Sequence, residues 1–302
     1  MITVSAPAKI NLVFQVAELA NDGYHPVNSL YLELDLRDRL RLVPTVENQA
    51  VGISVSSATL PARHVNAVPT DQSNLVYLVA EKMFSAQGVK LAGFDILIDK
   101  KIPVAGGMAG GSADAAAMLV GCNHYLNQVH GKKLLSNEEL IELAKQFGSD
   151  VPFSLLGGLA IGTNRGEKLR QLEPFGFDCH FVIAISQEGL STPQVFARFD
   201  EIGQSSPFSD LAIPLTDIQQ LASMMGNDLE PAAITLLPSI SNTIDVLKLS
   251  GALKAMVTGS GPTVIGLFDN ADLAKKAAET LAELGLIGIP ALPSYLGTRL
   301  ES

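Results

Sequence analysis

The chain of 302 residues contains no tryptophan and only two cysteines, and its 21 lysines and arginines are outnumbered by 31 aspartates and glutamates. Each shortage excludes something. Cys122 and Cys179 lie far apart without metal-ligand spacing, and they read as small buried hydrophobes in a reducing cytoplasm. The net charge of −10 opposes general nucleic-acid binding, because a phosphate backbone calls for a basic surface. No apolar run reaches the roughly 18–20 residues of a membrane span. Nor does a basic region precede an apolar stretch at the N-terminus, so no secretory leader and no membrane contact are expected. An anionic small ligand stays possible, since a few lysines and backbone N–H groups can make one positive pocket.

What is present is a globular composition, 47% hydrophobic and 17% charged, long enough for two domains. Residues 2–16 alternate as a strand with Ile10, Leu12, Phe14 and Val16 on one face and Lys9, Asn11 and Gln15 on the other. Pro7 should bulge that strand or place it at an edge. Asn21-Asp22-Gly23 signals a turn, and Leu30, Leu32, Leu34 and Leu36 mark a second strand. The pattern then predicts a short strand at 51–57, a helix over about 74–87 capped by Ser73, and a strand at 93–99. Ser136 and Glu139 form a capping box for a helix at 137–147. In the second half the predicted strands are 180–185, 254–258, 263–268 and 289–296. The predicted helices there lie near 192–200, 216–225, 228–237 and 271–284, with a flexible loop at 201–214. The fold class is α+β, with the second half a sheet carrying helices on one side.

The most informative stretch is Pro103-Val104-Ala105-Gly106-Gly107-Met108-Ala109-Gly110-Gly111-Ser112-Ala113, which opens into an apolar helix over about 112–126. A glycine-rich loop at a helix start offers free N–H groups, close approach without Cβ atoms, and the positive end of a helix dipole. It fits neither the Walker nor the Rossmann fingerprint. By itself it reads equally as a packing turn or as an anion cradle. Other signals are also two-sided. Lys9 is an edge-guarding lysine or a site residue; Asp150 is a helix cap before Pro152 or a catalytic carboxylate. Tyr24-His25 is plain surface or a place to stack and hydrogen-bond a planar ring. Gly259-Ser260-Gly261 is a hairpin connection or a second glycine loop in the site.

Taken in order, Ala6-Pro7-Ala8-Lys9-Ile10-Asn11-Leu12, the glycine loop, and Val257-Thr258-Gly259-Ser260-Gly261-Pro262 resemble the three motifs of the GHMP kinase superfamily (galactokinase, homoserine, mevalonate and phosphomevalonate kinases). Asp-Gly-Tyr-His at 22–25, Ser-Asn-Leu-Val-Tyr at 73–77 and Gly-Ser-Asp-Val-Pro-Phe at 148–153 resemble more narrowly the members that phosphorylate a cytidine-diphosphate-linked methylerythritol in the non-mevalonate isoprenoid route.

The resemblance implies a two-domain fold, a ribosomal-protein-like N-terminal domain over 1–165 and a ferredoxin-like C-terminal domain over 166–302. It implies ATP as phosphoryl donor with Mg²⁺, for which only Ser112 is named as a ligand. It places residues 103–113 around the ATP phosphates and Asn74 and Lys100 by the adenine, with Asp150 as general base and Lys9 beside it. Asn11 would orient the acceptor, and Tyr24, His25, Phe196 and Thr192 would receive the cytosine. The partner is then a small molecule carrying cytidine diphosphate, and a homodimer is left open. Homoserine or mevalonate kinase is the alternative within the fold, and a non-catalytic RNA-binding protein the alternative outside catalysis. Two departures stand out: in the glycine loop Met108-Ala109 replaces a Leu-Gly pair and Ala113 a second serine, and in the third motif Pro262 stands where many relatives have alanine.

Overall fold

The computed structural model describes residues 1–46, 49–203, 205, 207–211 and 213–301. Of the loop expected at 201–214, residues 204, 206 and 212 lie outside the described residues. The first sheet is built on two long strands, β1 (Ile2–Val16) and β2 (Val27–Pro44), paired antiparallel along their length. β3 (Ile53–Ser56) lies parallel to β4 (Phe94–Asp99), and β4 pairs with the second half of β2. The first half of β2 pairs instead with β5 (Leu159–Asn164), which forms a hairpin with β6 (Lys168–Leu172). The division expected at 165/166 thus falls inside a hairpin, and this run of the sheet ends only at Leu172.

Pro7 does bulge β1. It cannot donate to the ladder, and the register slips between Pro7 and Lys9 and again between Asn11 and Val13. The slips release two backbone donors. The Lys9 N–H turns to the Met108 carbonyl at 3.3 Å, and the Asn11 N–H to Thr258 Oγ1 at 2.9 Å. Two irregularities in one strand therefore become the docking points for both glycine motifs.

Helices α1 (Ala62–Asn66) and α2 (Leu75–Ala86) precede β4; α3 (Gly110–His130), α4 (Asn137–Ala144) and α5 (Val151–Leu156) follow it. α3 packs on β1 and β2 and is apolar on most of its surface, as a central helix must be. The capping box on α4 forms as expected, with Ser136 Oγ accepting from the Glu139 N–H and the Glu139 carboxylate from the Ser136 N–H. The cap on α2 is Asn74 rather than Ser73: its Oδ1 accepts from the Val76 N–H at 2.9 Å.

The second sheet is antiparallel. It comprises β7 (His180–Ile185), β9 (Lys254–Val257), β10 (Val264–Phe268) and β11 (Ile287–Ala291), in the order β11-β7-β10-β9. Strand period decides its packing. Phe181, Ile183, Ile265 and Leu267 face the core shared with the first sheet, while Val182, Ala184, Val264 and Phe268 face a second core. That second core lies under α9 (Ser239–Leu249) and α10 (Ala271–Glu283). α6 (Thr192–Ile202), α7 (Ile218–Met224) and α8 (Glu230–Leu236) complete the helices. Two short strands, β8 (Gly226–Asn227) and β12 (Arg299–Leu300), return to pair with β1. The sequence pattern had no element for α9, β5 or β6. Among the described residues no helix is long and apolar enough to cross a membrane.

Candidate active site

The glycine motifs meet where Gly107 and Gly259 leave no side chain between them. A Cβ on Gly107 would stand 2.3 Å from the Thr258 carbonyl oxygen, and one on Gly259 would stand 2.7 Å from the Gly107 oxygen. Only glycine permits that approach, and both residues also have positive φ (73° and 59°). Met108 is fully buried in the first core, so methionine in place of leucine keeps the loop's anchor at nearly constant volume. Ala109 is the N-cap of α3 and sits at φ 58°, ψ 32°, a left-handed conformation that costs an L-residue about 1–2 kcal/mol and glycine little. The Leu-Gly departure therefore splits into a neutral half and a strained half.

One large cavity of about 1360 Å³ gathers most of the expected residues. Pro103, Val104, Ala105, Gly106, Gly107, Ala109, Gly110 and Gly111 line it, as do Lys9, Asp150, Tyr24, His25, Thr192, Phe196, Gly259 and Ser260. Met108 and Ala113 are buried behind the loop, and Ser112 and Gly261 are not in the wall. Thr192 Oγ1 and Ser260 Oγ are 2.8 Å apart, which ties the start of α6 to the third motif.

Asp150 makes a contact other than the cap. It occupies the N-cap position of α5, yet its side chain makes no capping bond. Instead Oδ2 lies 3.5 Å from Lys9 Nζ, an ion-pair distance longer than a charge-assisted hydrogen bond. Lys9 is 5% exposed; its Nζ donates to Asn11 Oδ1 at 2.8 Å and stands 5.1 Å from the centroid of the Tyr31 ring. Asn11 in turn donates to Ser29 Oγ at 2.7 Å, so it holds Lys9 from outside the cavity wall. Burial raises the Tyr31 hydroxyl well above its ordinary pKa, and Asp150 adds to that, so the phenol stays neutral.

At the other end of the cavity, Tyr24 is half exposed and carries the Arg165 guanidinium 3.6 Å over its ring, while Arg165 also pairs with Asp22 at 2.9 Å. His25 is buried, its ring centroid 5.1 Å from that of Phe196. The sequence did not single out Arg165, Lys145, Tyr31 or Asp200, all of which line this cavity. They sit on a hairpin turn, a helix end, a long strand and a helix face, where nothing local distinguishes them from solvated or core residues.

Asn74 and Lys100 are not brought into this cavity. Asn74 is committed to its cap and to the Pro69 carbonyl at 2.6 Å. Lys100 is 1% exposed and lies between Asp38 and Asp114 Oδ2, the latter at 2.7 Å. Burial opposes its charge, but Asp114 and Asp38 overcome that and raise its pKa. Asp38 is the better satisfied carboxylate, also accepting from the N–H groups of Lys101 and Ile102. Asp114 Oδ1 has no partner, and burial pushes that carboxyl up to about 7 against the pull of Lys100. The cluster lies directly beneath the glycine loop: Lys100 Nζ is 3.5 Å from the Gly110 carbonyl. Behind the loop a second cavity of about 170 Å³ shares Pro103–Gly106 with the first and adds His64 and Thr263.

A loop, an ion pair and a recessed cavity of this kind are what a small-molecule kinase requires, and comparison with known proteins agrees. Residues 74–158 match the model of the GHMP kinases N-terminal domain, and residues 211–285 that of the GHMP kinases C-terminal domain. The 4-diphosphocytidyl-2-C-methyl-D-erythritol kinase of Rhodococcus jostii is 43% identical, over 94% of this chain and 89% of the relative. That of Streptomyces coelicolor is 39% identical, over 94% and 93%. A crystal structure of 4-(cytidine 5′-diphospho)-2C-methyl-D-erythritol kinase superposes with a TM-score of 0.75 at 28% identity, over 97% of this chain and 99% of that one. The mevalonate kinase of Methanococcus jannaschii shares the fold, with a TM-score of 0.71 at 14% identity over 97% and 98%. The chain belongs to the 4-diphosphocytidyl-2-C-methyl-D-erythritol kinase family of the GHMP kinases.

Proposed function

We propose that the protein transfers the γ-phosphoryl group of ATP to the 2-hydroxyl of 4-(cytidine 5′-diphospho)-2-C-methyl-D-erythritol. The single observation that carries the reading is the Lys9–Asp150 pair, 3.5 Å apart in the cavity lined by both the glycine loop and the Tyr24–His25–Phe196 cluster. The loop N–H groups and the start of α3 take the triphosphate. The smaller cavity behind Pro103–Gly106 suits the nucleoside end of ATP. Asp150 accepts the proton of the acceptor hydroxyl, and an ordinary carboxylate does this late, once the oxygen is bonding to phosphorus. Lys9 holds Asp150 in place and offsets charge on the group in flight. Orientation and fixed charge thus supply most of the rate.

Among the described residues no group of three or more His, Cys, Asp or Glu side chains is assembled as a metal cage. We expect any Mg²⁺ to be held mainly by phosphate oxygens and water, with the Ser112 hydroxyl, which lies outside the cavity wall, as the one protein ligand we name. Such an ion neutralises phosphate charge. The net charge of −10 supports action on a small molecule and not on RNA, and the two free, buried cysteines support a reducing cytoplasm; a homodimer is left open.

The test is an ADP-release assay with three acceptors. Turnover is expected with the cytidylyl substrate and not with homoserine or mevalonate. The opposite pattern would sink the reading.

A further inference from the structure

At 3.5 Å the attraction between Lys9 and Asp150 has little direction of its own, so how Asp150 faces Lys9 depends on how α5 is held. The helix cannot hold itself. It has six residues, fewer than two turns, and Asp150 at its start makes no capping bond. The hold comes from the other end, where the last carbonyls of a helix lack partners within it. Thr298 satisfies two of them: its Oγ1 donates to the Ser154 carbonyl at 2.7 Å, and its N–H to the Leu155 carbonyl at 3.1 Å. Ser154 completes the route, because the Asp150 carbonyl accepts from the Ser154 N–H at 3.0 Å and from its hydroxyl at 3.2 Å. The contact is close enough to need glycine beside it. A Cβ on Gly297 would stand 2.6 Å from both the Leu155 and the Leu156 carbonyl oxygens.

The segment that carries Thr298 is itself fastened on both sides. Before Thr298, the Ser294 hydroxyl and the N–H groups of Leu296 and Gly297 donate to Glu33 of β2. After it, Arg299 and Leu300 pair with Ser5 and Val4 of β1. Lys9 lies on β1 directly opposite Glu33, so Lys9 and Asp150 are referred to the same two strands. α5 also reaches the lysine from below: the Phe153 ring packs 5.1 Å from that of Tyr31, the ring under Lys9 Nζ. We infer that residues 294–298 form a strap that sets the position of Asp150 through α5, with Thr298 and Ser154 as positioning residues for phosphoryl transfer. Neither of the two lines the large cavity. This inference rests on the function proposed above, since it presumes that Asp150 receives the proton of the acceptor hydroxyl.

The experiment is a double-mutant cycle on kcat, with rates taken per folded molecule. Thr298→Val keeps the shape of the side chain and removes the donor. It should lower kcat about 10-fold while changing KM for ATP and for the acceptor by less than about 2-fold. Thr298→Ser returns the hydroxyl and should recover the rate. Ser154→Ala, which cuts the route one step nearer to Asp150, should repeat the loss and stands in for Thr298→Val if that variant folds poorly. In an Asp150→Ala background neither change should lower kcat by more than about 2-fold, because no carboxylate is left to position. A lowered Tm with kcat unchanged in both variants would make the strap structural only and overturn the inference. A full further loss in the Asp150→Ala background would overturn it too, by showing that the strap acts elsewhere. Near-normal turnover of Asp150→Ala by itself would instead remove the role proposed for Asp150, and the inference with it.

Discussion

The two sheets of this molecule bury different things. Among the described residues, every charged side chain more than nine-tenths buried belongs to the first sheet or to α3 and the loop packed on it: Lys9, Glu33, Asp38, Lys100 and Asp114. The core between the second sheet and α9 and α10 is assembled from valine, leucine, isoleucine, alanine and phenylalanine. Apolar packing is the cheaper way to stabilise a domain, because a buried charge forfeits its hydration and regains it only through well-placed partners. The first sheet accepts that cost where fixed electrostatics position chain elements. Glu33 shows the principle. Its carboxylate accepts from the N–H groups of Gly158, Leu296 and Gly297 at 2.7–3.0 Å, from Ser294 Oγ at 2.9 Å, and from Arg37 at 2.8 Å. One buried anion thus pins the corner after α5, the short helix that Asp150 precedes, to the C-terminal segment.

The contrast can be broken at its functional end first. Asp150→Ala should lower kcat about 10²–10⁴-fold with little change in ATP affinity. Thermal melting should barely move, because no cap bond is lost. Near-normal turnover in a coupled assay would return Asp150 to a structural role.

The stability of the two sheets should then part company with activity. Lys100→Met leaves two buried carboxylates without their cation, and should cost about 3–5 kcal/mol in urea unfolding while also raising KM for ATP through the loop above it. Phe268→Ala in the second core should cost a similar 3–5 kcal/mol. The folded fraction of that variant should keep its KM for ATP. If both variants altered KM alike, the division between a positioning sheet and a supporting one would fail.

The smallest effect concerns the loop itself. Ala109→Gly relieves a left-handed alanine and should stabilise the protein by about 1 kcal/mol, read as a raised Tm, with kcat unchanged. A loss of stability would show that the loop gains more from alanine's stiffness than it spends on φ.

Much of this was readable before any coordinates. The Ser136–Glu139 box, the Pro7 bulge and the strand at 180–185 are local chemistry, and each appears where its residues put it. α9 escaped because Ser239-Ile240-Ser241-Asn242-Thr243 reads as a polar connection, and it turns helical when Ile240, Ile244 and Leu247 reach the second core. β5 escaped because Gly162 interrupts its pattern, and with it the hairpin whose turn holds Gly166. Gly162 and Gly166 are there to admit the Tyr31 side chain: a Cβ would meet its ring at 2.2 Å and its hydroxyl at 2.3 Å respectively. That is a tertiary reason, invisible in a strand template.

The candidate site divides in the same way. Residue types and spacing alone pointed to an anion-binding glycine loop, a lysine on the first strand, an aspartate before a proline, and an aromatic–imidazole turn. They left each with two meanings. The fold supplies the contacts that each one makes: Asp150 leaves its cap for Lys9, Lys100 and Asn74 find partners outside the large cavity, and Asp200 meets His25 across 175 positions of sequence. The physical reason is that capping, stacking and phosphate binding draw on the same few side chains. Local sequence specifies which groups are available, and only the convergence of β1, the two glycine loops, α5 and α6 specifies which partner each one meets.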